Sequence, residues 1–399
     1  MMKKSDASHM DRLPVDFSKY KVLNKTDNLP DLFSTLSQDD YDSLKQVGLD
    51  MKRPPDMGRF LLFDHNPFVT ISQTEGVEIL PLPDAMNRYP WMMEKYYFKA
   101  IDRNMDEFTR QVAEGENQGY FIRVKKNVRL NHPIHTGFLI HTPQGLQNVH
   151  NIVVIEEGAH LHLITGCVSG KHNQEGLHIA VSENYVASNA KFINTMIHNW
   201  GSDFVVRPRA ATIVGENAAF VNNYYSVSPP KSIESIPYTH LEGNHSSAKY
   251  MTVLASMPNS YCDIGGTVLM GGENTSAELV ARAVNYGGTV LQTGLLIGAA
   301  KGARGHVDCS GLMLSDGGVI EAVPGLRATH PDARMSHEAA IGKIDMGEVN
   351  YLQSKGLSEM QAIALIIRGF LNIGIEVEGL DVELEQMIQQ ISELSGHGE

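Results

Sequence analysis

EEGAHLHLI (156–164), SENYVASNAKFI (182–193), GENAAFVNNYY (215–225) and GENTSAELVARA (272–283) follow one plan. Each opens on an acidic-Gly or Glu-Asn turn, passes through small residues and runs into a strand-like stretch. Gly and Asn accept the left-handed backbone of a tight turn at low cost. The branched and aromatic residues that follow suit a pleated surface. The units recur at roughly 30 residues, with one gap near double that. A unit repeated at such a period stacks on its neighbours and buries a continuous core, which is the logic of a β-solenoid. A sandwich or barrel also uses short strands and frequent turns, and the repeat alone leaves that alternative open.

The same texture extends to both sides. From Gly119 onward YFIRV (120–124), FLIHT (138–142), NIVVIEE (151–157), KYMTVLAS (249–256), GTVLMGG (266–272) and HVDCSGLML (306–314) are short apolar or alternating runs bounded by turn residues. No helical period intrudes for about 200 residues. Upstream, Leu32, Phe33, Leu36, Tyr41 and Leu44 predict a helix within 30–50, stopped by Pro54 and Pro55, and 90–114 reads as a second helical stretch. Downstream of Asp345 the period changes again. Two helices are predicted, joined at Gly356, with Ser358 and Gln361 forming a capping box on the second. VELEQMIQQISELS (382–395) reads as a last, acidic helix. The expected organisation is a helix-rich region over 1–118, a β core over 119–345 and a helical region over 346–399.

Bulk composition narrows the function. The 399 residues are 42% hydrophobic and 20% charged, a globular balance, and the 36 glycines suit a turn-rich β chain. A net charge of −13 argues against a primary nucleic-acid binder, which needs a basic face. Cys167, Cys262 and Cys309 are far apart and form no CxxC pair, so a reducing compartment is expected. No stretch reaches the ~18 apolar residues of a membrane span, and MMKKSDASHMDR has no apolar signal core. These features predict a cytoplasmic protein with neither membrane nor nucleic acid as partner. GCVSGKH (166–172) lacks the spacing and the Ser or Thr of a phosphate-binding loop, so the chain is expected to bind no nucleotide.

The densest group of reactive side chains is His306, Asp308, Cys309, Asp316, His330, Asp332, His337 and Glu338. Thiolate, imidazole and carboxylate are ligands that iron or zinc would use. His330-Pro331-Asp332 and the Asp316 segment read as surface turns and His306 and Asp308 as exposed strand positions, which leaves Cys309 with His337-Glu338. A second set is His160, His162 and Cys167. The two histidines fall on one face of a strand, where an H-x-H can hold a metal but is more often a polar face. Cys262 lies in NSYCDIGG, as a buried or a reactive thiol.

VHNIVVIEEGAHLHLITGC (149–167), HNWG (198–201), VDCSGLMLSDGGVIEAVPGLRATHPDARMSHEAAIGKID (307–345) and EVNYLQSKGLSEMQAIALIIRGFL (348–371) resemble segments of the SufB/SufD family, a likeness covering roughly residues 85–375. The resemblance implies a mainly β protein: a right-handed parallel β-helix with N- and C-terminal helical regions. It implies a non-catalytic scaffold that dimerises through the β-helix and docks a SufC-type ABC ATPase on the C-terminal helices. The cargo would be a nascent iron–sulfur cluster, passed to apo-protein recipients. Cys309 falls where SufB proteins have a cysteine implicated in cluster assembly, His337 where SufD proteins have an interface histidine, and Glu338 at the adjacent acidic position. A homodimer would then build a symmetric metal site from two copies of each. The alternative is a SufD-like subunit that needs a separate SufB partner. The resemblance also sets Thr267 near the place of a further, sulfur-receiving cysteine, which leaves Cys262, Cys167 or free sulfide as the route.

Overall fold

A computed structural model of the chain describes residues 2, 13–25, 36–52, 58–71, 74–116, 118–170 and 172–373. Strand outweighs helix, 51% to 16%, and the strands wind a β-solenoid of about 8 turns. Coils give strands alternately to a 10-stranded and an 11-stranded sheet, so through the body of the solenoid a strand pairs with strands of the coils before and after it and not with its neighbour in sequence. The sandwich and barrel alternatives fall away, because the coil-to-coil pairs are parallel. Lys191 lies between His160 and Ala219, Ser247 beside Ser276, and Arg304 beside Arg334, steps of 28 to 31 residues.

The recurring turn seen in the sequence is a column of left-handed residues. Gly158, Asn189, Asn217, His245, Asn274 and Gly302 have φ of 70°, 59°, 54°, 59°, 55° and 70°. Their amides bridge the coils: Asn189 N–H donates to Glu216 O, Asn217 to Asn244 O, His245 to Glu273 O and Asn274 to Lys301 O, at 2.8–2.9 Å. His245 fills the double-length gap in the repeat. Its signature was hidden because histidine stands where the other coils have Asn or Gly. The 182–193 unit differs from its expected reading. Glu183 and Asn184 lie within the strand Glu175–Val186, and the turn comes later, at Asn189.

Side chains alternate along each strand, so one set fills the interior and the other meets outer layers. Leu161, Phe192, Phe220, Ala248 and Ala277 occupy one interior position on successive coils, with Phe192 and Phe220 stacked 5.4 Å apart. The outer face of the 10-stranded sheet is covered by the helix Gln38–Gln46 and the C-terminal helices, through Val47, Leu49, Ile363 and Ile367. The other sheet is covered by residues between Leu82 and Val112.

The N-terminal region is less helical than the sequence suggests. Gly58–Phe63 pairs in parallel with Ile134–Ile140, and Val77–Pro81 pairs antiparallel with Tyr120–Val124, so both extend the solenoid. The 90–114 stretch breaks into helices Pro90–Lys95 and Glu107–Glu114. The cause is Glu183. Its buried carboxylate accepts the amides of Phe98, Lys99, Ala100 and Ile101 at 2.6–3.1 Å, which turns those four N–H groups away from a helix. The C-terminal helices Met346–Ser354 and Glu359–Leu371 form as expected, with Gly356 at φ 98° between them and the Ser358–Gln361 capping box intact. The last predicted helix, the residues before 36 in the first, and Pro54 and Pro55 lie outside the described residues. Among the described residues, no helix is long and apolar enough to cross a membrane.

Candidate functional site

The last two strands of the 10-stranded sheet are Arg304–Met313 and Arg334–Lys343. In register, Val307 pairs with His337, Asp308 with Glu338 and Cys309 with Ala339. Val307 and Cys309 belong to the interior core. Paired residues of adjacent strands share a face. His337 therefore stands on the same face as Cys309, one strand over and two positions along. Glu338 stands on the opposite face, stacked on Asp308. The structure thus brings Cys309 and His337 to one side of the sheet and leaves Glu338 on the other.

Their environments differ as sharply. Cys309 is 3% exposed, whereas His337 and Glu338 are open to solvent because, among the described residues, no further coil covers the final strand. Burial, with a contribution from the Asp308 charge, pushes the Cys309 thiol up to about 11, so it is a neutral S–H in this conformation. Asp308 is engaged elsewhere. It accepts two hydrogen bonds from Arg282, at 2.9 and 2.7 Å, and that contact holds its carboxyl below the usual range. His306 bonds Ser336 at 2.8 Å, Asp316 pairs with Lys343 in an exposed turn, and His330 accepts the Asp332 amide. These last three are surface fastenings, as the sequence reading of 316 and 330–332 expects.

The second set does not assemble. His160 and His162 do share a strand face, but Leu161, Leu163 and Cys167 point the other way into the core. His162 bonds Thr195 at 3.0 Å, and burial lowers its imidazole to about 4. Arg129 and Lys191 lie near His160 and oppose a cation there. Cys167 is buried in the core, and burial raises its thiol far above the ordinary value. Cys262 is likewise interior, pushed up to about 12 by burial. Both lie near the buried Tyr224 hydroxyl. Thr267 has the opposite strand parity to the interior Ile264 and Val268, so it looks away from those thiols. Among the described residues, no group of three or more His, Cys, Asp and Glu is arranged to hold a metal ion.

Sequence reasoning missed an interior file of titratable groups. His65, His178 and His198 are buried, and burial holds them neutral, down to about 4, 3 and 3. Trp200 packs between His178 and His198. His198 and Trp200 belong to the HNWG segment, the one signal that could have found them.

Residues 138–370 match the family model for the SufBD core domain of SUF-system FeS cluster assembly. The chain belongs to the SufBD family. The match runs from the strand Ile134–Ile140 to the last described helix, so it takes in Cys309, His337 and both C-terminal helices. A SufBD protein of Archaeoglobus fulgidus, titled an iron–sulfur cluster assembly family protein, is 37% identical over 356 residues, 89% of this chain and 95% of that one. One from Methanothermobacter thermautotrophicus is 37% identical over 362 residues, 90% and 88% of the two chains. A Staphylococcus aureus relative is 25% identical over 304 residues, 75% of this chain and 65% of that one. Membership of the SufBD family implies a role in iron–sulfur cluster assembly.

Proposed function

We propose that this SufBD chain is a scaffold on which a nascent iron–sulfur cluster is built, and that two copies of the chain share the assembly site. The observation that carries this reading is the open end of the solenoid. There Cys309 and His337 share a face, and the strands of the last coil carry Val319, Leu326 and Ile341, large apolar residues left exposed. A second copy placed against this end would cover the apolar residues and bring a second Cys309 and His337 to the first pair. Two thiolates with imidazoles make a mixed shell. Such a shell holds a cluster less firmly than four thiolates, which suits a protein that must release its cargo.

The two C-terminal helices expose Met346, Tyr351, Met360 and Leu365. We assign this apolar surface to a SufC-type ABC ATPase. The chain's own lack of a phosphate-binding loop motif supports that assignment.

The reading is tested by anaerobic reconstitution with ferrous iron and sulfide, followed by visible absorption. Cys309→Ala is expected to lose most of the cluster absorbance and His337→Ala part of it. Undiminished absorbance in Cys309→Ala would overturn the assignment.

A further inference from the structure

Behind Cys309, among core residues of the last coils, lies a cavity of about 20 Å³ lined by Cys309, Gln292, Ala281, Leu279, Val307 and Tyr250. Gln292 is 1% exposed. Its Nε2 donates to Ser310 O at 3.0 Å, the carbonyl next to Cys309 in the chain. That bond fixes which end of the amide is which, since the flipped amide would set two oxygens together. Its Oε1 is buried and has no hydrogen-bond partner. An orphaned buried acceptor is costly, on the order of 1–3 kcal/mol, so this one implies an occupant.

The lining limits what that occupant is. One water-sized atom needs roughly 10–15 Å³, so there is room for one such atom. A buried water makes about three hydrogen bonds, yet this lining is mostly aliphatic: the Tyr250 and Thr293 hydroxyls are bonded to Thr239 and Asp263, which leaves the Thr252 hydroxyl as the one further polar side chain beside Cys309 and the Gln292 acceptor. A group with a single donor and a soft, polarisable body fits better. A sulfur atom bonded to Cys309, as the persulfide Cys–S–S–H, has that form: one S–H for Gln292 Oε1 and sulfur surface for Ala281, Leu279 and Val307.

We propose that Gln292 is a positioning residue that holds a single sulfane sulfur carried on Cys309 inside the coils. The inference rests on the reading of Cys309 as the assembly cysteine. In the loading step, Cys309 sulfur attacks the terminal sulfur of a low-molecular-weight persulfide or polysulfide, R–S–S–H. The new S–S bond forms as the donor S–S bond breaks, and R–S⁻ leaves with the Cys309 proton as R–SH. No net oxidation occurs. The S–S–H then turns inward to Gln292, where the apolar lining and the acceptor Oε1 favour its protonated form over the persulfide anion, shielded from reductants until it is needed.

The test uses the full chain, treated anaerobically with inorganic polysulfide and freed of excess, with peptide mass spectrometry as readout. The wild type should gain one sulfur on the Cys309 peptide. Gln292→Met keeps the side-chain length without the acceptor, and it should lose that sulfur to a mild thiol reductant about five- to tenfold faster, the order set by one buried hydrogen bond. Ala281→Val fills the cavity without touching Gln292 and should reduce loading. Melting of the unloaded proteins controls for folding. Equal loading and equal lifetime in all three, or sulfur on Cys167 or Cys262 instead of Cys309, would overturn the proposal. Failure here is distinguishable from failure of the scaffold reading: Gln292→Met supplied with free sulfide and iron should still reconstitute a cluster, whereas Cys309→Ala should not.

Discussion

The early coils and the last coil use the same strands and end in different states. Gly145–Ile155 is buried along its whole length, with the core inside it and the N-terminal segment outside. Gly318–Ala328 and Arg334–Lys343 pair just as regularly, yet most of their side chains are half-buried or exposed. The last coil's strands end their sheets and are paired along one edge only, whereas Gly145–Ile155 has a strand on either side. What separates them is covering. The early coils are finished by their own chain, and the last coil presents an interior position, His337 beside Cys309, with none of the described residues over it.

Acid should break this comparison most. His65, His178 and His198 are buried neutral, with pKa values down to about 4, 3 and 3 against an ordinary 6.5. Unfolded, they take up protons from about pH 6.5 downward; folded, they resist to near 4 or below. The unfolded chain therefore binds more protons in that window, and stability falls as pH drops through it. Each contributes about 2 kcal/mol at pH 5, so the urea midpoint at pH 5 should lie far below that at pH 7. Equal midpoints would show that these groups are not held neutral in the folded state.

A smaller effect is expected from Glu183→Ala. It removes the acceptor of four amides and of the His150 ring, which lies 2.8 Å away, and should cost about 3–5 kcal/mol, as breaking a buried charged network does. Hydrogen exchange should quicken first at Phe98–Ile101. A loss under about 1 kcal/mol would mean that the N-terminal segment is held by its apolar contacts alone. Ile341→Asp, on the uncovered strand, should change stability of the single chain by no more than about 0.5 kcal/mol. It should nonetheless abolish self-association in sedimentation velocity, which sharpens the contrast between covered and uncovered coils. A variant that still dimerises would remove the open end as the interface.

Much of this was legible in the residues. The Gly and Asn turns of 158, 217 and 274 marked the coil period, and Ser358 with Gln361 marked a helix start. The misreadings share one cause. Glu183-Asn184 looks like a turn, because a Glu inside a strand is rare without partners, and its partners are amides more than 80 residues away in sequence. His245 hides a turn because its left-handed backbone is imposed by the coils on either side. Gln292 carried no signal at all: a Gln between Leu291 and Thr293 reads as one more strand residue.

The sequence by itself determined the repeat, the short strands, the acidic charge and the placing of Cys309 in a group of ligand-type residues. Local backbone preference and side-chain alternation act over a few residues, and they are written there. Which of those ligand-type residues share a face was decided only by the tertiary structure. Register across strands about 30 residues apart sets His337 with Cys309 and turns Glu338 away. The end of the stack, a property of the whole fold, leaves one of that pair buried and the other exposed.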